Sequence, residues 1–143
     1  MGFSGIIEKV ETNIVSVCVG LVILDQLIKN NISNPVLNFG ASFGIMQNER
    51  AILLIAAILV MGVLGYMYYK TKDLSLKISY SLIFFGALSN FVDRLFLGYV
   101  IDYIPMPFFP SFPTFNIADS MVCIGVGFLI LYEFVLRKKL NGK

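Results

Sequence analysis

The chain contains no histidine and only two cysteines, Cys18 and Cys123, which form no paired motif. The commonest zinc ligand sets are therefore missing. Each cysteine lies inside an apolar run, where the thiol serves as a small hydrophobe, so no structural disulfide is expected. Charge is scarce as well: 14% of the 143 residues are charged, against roughly one quarter in a typical soluble domain. The net charge is only +2, and the basic residues form no patch interleaved with aromatics, which excludes nucleic acid as a partner. No Ser/Gly-rich or Pro-rich linker divides the sequence, and residues 1–143 are expected to form one domain. No cleavable leader is expected either. Glu8, Lys9 and Glu11 interrupt any basic region ahead of the first apolar run, no small-x-small site follows, and the segment is expected to be retained.

What is abundant is apolar surface: 57% of the residues are hydrophobic and the mean hydropathy is +0.81. Crossing a hydrocarbon core takes roughly 20 residues of helix. Four runs of that length have their charges confined to the ends: about Asn13 to Ile32, Ala51 to Tyr69, Leu74 to Val92 and Ile117 to Leu136. The expected fold is an all-α membrane protein of four transmembrane helices with a small extracytoplasmic β/loop region. Basic residues divide unequally between the two sides. Lys9, Lys70, Lys72, Lys77, Arg137, Lys138, Lys139 and Lys143 fall on one side, and Lys29, Arg50 and Arg94 on the other. The positive-inside bias then predicts that both termini are cytoplasmic. Asp25, Lys29, Asp93, Arg94, Asp102 and Asp119 are thereby all expected at the outer face.

Two connections lie on that face. Asn34 to Arg50 carries the Gly-punctuated stretch Asn38 to Gly44, of strand or loop character. Gly98 to Asn116 holds Pro105, Pro107, Pro110 and Pro113 among its phenylalanines, a density that excludes helix. Its aromatics suit the membrane interface. Each polar cluster has a structural reading beside a functional one. Asp25 and Lys29 stand four apart in the favourable order for a helical ion pair and read as a brace. Asn90, Asp93 and Arg94 share a helical face and can close the third span. Asn116 and Asp119 have capping-box spacing. Their coincidence on one face is what favours function, since ionisable groups in spans face a cavity or one another. Asp102 and Asp119 flank a loop able to fold back and join them. Two carboxylates in a partly dry site do not both ionise, so one holds a proton and the other can act as base. Such a pair can activate water against a peptide carbonyl and then protonate the leaving amine.

These residues resemble bacterial lipoprotein signal peptidase, also called signal peptidase II, over nearly the whole chain. Four ordered motifs carry the resemblance: Asp25-Gln26-Leu27-Ile28-Lys29; Asn38 to Gly44; Asn90-Phe91-Val92-Asp93-Arg94 continuing to Gly98-Tyr99-Val100-Ile101-Asp102; and Phe115-Asn116-Ile117-Ala118-Asp119-Ser120. The resemblance implies a membrane-embedded aspartyl endopeptidase with Asp102 and Asp119 as its catalytic pair. It implies prolipoprotein substrates cleaved just before a diacylglyceryl-modified cysteine. Asn38, Gly40, Asn90, Asp93, Arg94 and Asn116 match positions that shape the site or contact substrate, and Asp25 and Lys29 match positions that support it. No metal or organic cofactor is implied. Membrane lipids and globomycin-type inhibitors are the other expected partners, and the bacterial cytoplasmic membrane is the expected location. There are departures. Ser89 stands where a glycine is usual, Tyr103 where phenylalanine is common, and the gap from Lys29 to Asn38 is short where many members hold a longer β segment over the substrate. Two alternatives are an inactive relative that binds lipidated peptides and a small proton or cation transporter component. The second predicts charge through the span centres, and the second span has none.

Overall fold

A computed structural model describes residues 3–40, 49–109 and 111–136. Four helices follow one another, α1 (Phe3–Asn31), α2 (Arg50–Lys70), α3 (Leu74–Phe96) and α4 (Ile117–Leu131), the last running into a π-helical turn over Tyr132–Leu136. All four are long and apolar enough to cross a membrane. Local chemistry fixes the helix ends. Asp73 caps α3 by accepting from the Ser75 and Leu76 amides, and Asn116 caps α4 through a reciprocal capping box with Asp119. α3 stops at Gly98, whose φ of +89° suits only a residue without a side chain. Between α1 and the first strand the chain turns at Asn34, with φ of 57°, a conformation that asparagine tolerates better than most residues.

The distribution of side chains is inverted relative to a soluble protein. Leucines, isoleucines and valines of α1, α2 and α4 are exposed, while Asp25, Lys29, Asn90, Asp93 and Asn116 are buried. Only an apolar solvent makes that arrangement stable, because lipid tails satisfy the outward residues and leave the polar ones to satisfy one another. α3 is the central helix and packs against the other three. At one end of the bundle Lys77 pairs with Glu11 (2.7 Å) and the Tyr132 hydroxyl donates to Asp73 (2.9 Å). At the opposite end the C-terminal turns of α1 and α3 meet the start of α4. There β1 (Val36–Asn38) and β2 (Val100–Asp102) pair antiparallel, Val36 opposite Asp102 and Asn38 opposite Val100.

The four spans match their predicted runs, with two differences at the ends. α1 begins at Phe3 rather than near Asn13, because Glu8, Lys9 and Glu11 mark the edge of the apolar run and not the end of the helix. α3 continues past Val92 to Phe96, since Asp93 turns inward to partners instead of out to water. Residues 41–44 of the second motif, and the basic residues at 137–139 and 143, lie outside the described residues.

Helices α3 and α4 approach closely through two glycines. A Cβ added at Gly86 would lie 2.5 Å from the Ala118 carbonyl oxygen, and one at Gly125 would lie 2.7 Å from Ile83 Cγ1. Gly86→Val is expected to push α4 from its seat and destabilise the bundle by about 1–3 kcal/mol. Thermal unfolding in detergent reads this directly. Gly62→Ala is the control, because a Cβ there meets nothing within 4 Å, and its melting temperature is expected to stay or rise.

Candidate active site

Asp102 closes β2, and Asp119 sits in the first turn of α4. Asn116 stands between them. Its Nδ2 donates to Asp102 Oδ1 (2.8 Å), to Asn90 Oδ1 (3.1 Å) and to the Ile101 carbonyl (3.3 Å). Its backbone N donates to Asp119 Oδ2 (3.1 Å), while its own Oδ1 accepts from the Asp119 amide (2.9 Å). The two carboxylates are therefore tied to one residue, and the capping box that could have accounted for Asp119 is also the device that aims it. The second oxygen of each acid is held as well. Asn38 Nδ2 donates to Asp102 Oδ2 (3.1 Å), and Asn90 Nδ2 donates to Asp119 Oδ1 (2.8 Å). The Pro/Phe connection folds back as expected. The Tyr103 and Ile104 amides both donate to the Phe115 carbonyl (3.0 and 2.8 Å), and the Phe115 amide donates to Ile104 (3.1 Å).

Beneath this layer lies a buried ionic cluster. Lys29 Nζ reaches Asp25 Oδ2 (2.7 Å), Asp93 Oδ2 (2.8 Å) and Asn90 Oδ1 (3.1 Å), three acceptors for the three protons of an ammonium. Gln26 Nε2 donates to the free oxygen of Asp93 (2.8 Å) and to Ser89 Oγ (3.0 Å). Asn90 joins the layers, since its Oδ1 accepts from Lys29 and Asn116 and its Nδ2 is thereby turned toward Asp119. Arg94 Nη2 donates to the Gly40 carbonyl (2.6 Å) and Nη1 to that of Asn90 (3.5 Å), and its Nε is buried with no hydrogen-bond partner among the described residues. Gly40 is tied in turn to Asn38 Oδ1 through its amide (3.0 Å).

Burial first, and the neighbouring Asp119 carboxylate second, push the Asp102 carboxyl up to about 6. The hydrogen bonds from Asn38 and Asn116 and the charge of Lys29 pull the other way. A carboxyl poised there can hold a proton near neutral pH, which is what one partner of an acid–base pair must do. No group of three or more metal-ligating side chains occurs among the described residues.

All ten residues singled out in the sequence meet in this cluster: Asp25, Lys29, Asn38, Gly40, Asn90, Asp93, Arg94, Asp102, Asn116 and Asp119. Three more were not assigned a role. Gln26, Ser89 and Tyr103 all bond into the ionic layer, the last two through hydroxyls on Asp25 (2.7 and 2.8 Å). The available signal was polarity in an apolar setting, because a buried hydroxyl or amide needs a partner.

A sequence model described as signal peptidase (SPase) II matches residues 17–135. The chain is 43% identical over 104 residues to the lipoprotein signal peptidase of Halothermothrix orenii, covering 72% of this chain and 70% of that protein. It is 41% identical over 97 residues to that of Halalkalibacterium halodurans, covering 66% of this chain and 62% of the other. Among solved structures, a bacterial membrane enzyme determined at 2.3 Å resolution superposes with a TM-score of 0.82 at 31% identity, over 92% of each chain.

Proposed function

The chain belongs to the signal peptidase II family, and on that premise we propose that it removes the signal peptide from prolipoproteins whose cysteine carries a diacylglyceryl group. The protein is a multi-pass membrane protease. In this reading it lies in the bacterial cytoplasmic membrane with both termini cytoplasmic and the aspartates at the outer face. The supporting observation is the convergence of Asp102 and Asp119 on Asn116, with every carboxylate oxygen of the pair held by a donor.

Asp119 is the ionised partner at rest, because it accepts from Asn90 and from the Asn116 amide at a helix N-terminus, where negative charge is favoured. Asp102 carries the proton. Asp119 takes a proton from water as the water oxygen bonds to the scissile carbonyl carbon, and Asp102 gives its proton to the carbonyl oxygen. The tetrahedral adduct then collapses: the C–N bond breaks, the proton on Asp119 passes to the leaving amine, and one adduct hydroxyl returns its proton to Asp102. No metal or organic cofactor takes part in this scheme.

The test is a gel-shift assay with purified enzyme in detergent. A lipid-modified precursor is expected to lose its signal peptide, the same precursor without lipid is expected to persist, and globomycin is expected to block the shift. Failure to cleave any lipidated precursor would overturn the reading in favour of an inactive relative.

A further inference from the structure

We propose that Tyr103 is a positioning residue whose hydroxyl, clipped to Asp25 and to the first amide of α4, sets the separation of the two aspartates; this rests on the peptidase reading above. Tyr103 directly follows Asp102. Its hydroxyl donates to Asp25 Oδ1 (2.8 Å) and accepts from the Ile117 amide (3.3 Å), which also reaches Asp25 Oδ1 (3.2 Å). Ile117 is the first residue of α4, two before Asp119. The clip thus grips the chain within roughly 3 Å of each aspartate along the backbone, one residue of strand on one side and two of helix on the other.

Asn116 ties the carboxylate oxygens of the two acids to one residue, and the clip adds a second tie, through the backbone on either side of them. The sheet that carries Asp102 has two strands of three residues, and a two-stranded sheet is marginal on its own. The connection from Tyr103 to Asn116 is closed at its base by the Ile104–Phe115 bridge and the bond from the Tyr103 amide to the Phe115 carbonyl, and beyond them it exposes Phe108 and Phe109. Asp25, by contrast, is fully buried and anchored from three further directions. Lys29 of its own helix and Ser89 of α3 (2.7 Å each) hold Oδ2, and the start of α4 reaches Oδ1. Tyr103 connects the end of β2 to that buried point. Burial and the bond to Asp25 both push the Tyr103 phenol above its ordinary value, so the hydroxyl stays a donor throughout the working pH range.

Tyr103→Phe keeps the ring and removes the clip. With a lipidated precursor, kcat is expected to fall about tenfold or more while KM changes less than twofold, since sub-ångström positioning of reacting groups governs rate before binding. The alkaline limb of kcat/KM is expected to move to lower pH. Asp119 from α4 raises Asp102, Lys29 from α1 lowers it, and Arg94 of α3 and the amides of Asn38 and Asn116 also face the pair. Moving Asp119 away and admitting water both release the Asp102 proton more readily. Ile117→Pro is the second variant. It deletes the shared N–H at a helix position that accepts proline, after an extended Asn116 that suits it, and is expected to shift the limb the same way. Tyr132→Phe, which loses a hydroxyl–carboxylate bond at the opposite end of the bundle, is expected to leave both kcat and the limb in place. Wild-type kcat and an unmoved limb in Tyr103→Phe and Ile117→Pro would overturn the clip. An inactive wild-type enzyme would instead overturn the peptidase reading.

Discussion

Asp102→Asn and Asp119→Asn are each expected to lower cleavage of a lipidated precursor by at least about 10²- to 10⁴-fold, the range carried by a positioned acid or base. The double variant is expected to fall little further, because the two carboxyls act as one unit. The pH profile of the wild type follows from the same geometry. In the proposed mechanism activity requires one proton on the pair, so kcat/KM is expected to decline on the alkaline side with an apparent pKa of about 6, a value that belongs to the pair as a whole. The corresponding limb of kcat is expected at higher pH, since a bound lipopeptide excludes water from around the pair and disfavours the second negative charge. Stability runs opposite to activity in the first variant. Asp102 titrates above the ordinary carboxylate value, so between about pH 4 and pH 6 the folded state binds more protons than the unfolded one. The contribution of Asp102 to stability therefore falls as pH rises through that window. Asp102→Asn removes the ionisation, and above pH 6 its melting temperature in detergent is expected to equal or exceed that of the wild type. A variant that lost activity only by unfolding would show the reverse.

The elements that could be read from the sequence are those set by local pattern. Four apolar runs gave four helices because a span depends on length and hydropathy alone. The Asn116–Asp119 capping box was legible because its partners are three residues apart, and the Asp25–Lys29 pair because its partners are four apart. Legibility ended where the partners are distant in the chain. Asp93 and Arg94 look like the charged end of a span, yet Asp93 is bound by Lys29, 64 positions earlier, and the helix runs on. Ser89 and Tyr103 stood out only as departures from a family pattern. That both hydroxyls serve the same carboxylate is a fact of packing between α1, α3 and the strand end, which no spacing rule contains. Asp119 shows why capping and catalysis were poor alternatives. The bonds that satisfy the helix terminus also fix the carboxylate toward Asn90 and Asn116, so the capping role is compatible with the catalytic one proposed for Asp119.

Lys29→Met is expected to destabilise the protein by about 3–5 kcal/mol, the cost of leaving a buried charge without its partner. Lys29 is 4% exposed and stands between Asp25, at 0%, and Asp93, at 2%, so its removal leaves two carboxylates in an apolar bundle with one cation fewer. Methionine matches the length of the stem, which isolates the charge from the packing. Asp25→Asn is the informative comparison. It retains a side chain that can still accept from Lys29 or Tyr103 and lowers the number of buried anions by one, so its loss of stability is expected to be smaller than that of Lys29→Met. Thermal unfolding of both variants in the same detergent orders them. The functional consequence passes through Asn90. With Lys29 gone, Asn90 Oδ1 keeps only Asn116 as a donor, and the amide is no longer held with its Nδ2 toward Asp119. Cleavage is therefore expected to drop even at temperatures where Lys29→Met remains folded. If folded Lys29→Met cleaved at the wild-type rate, the ionic layer would be a brace alone, with no part in aiming the pair.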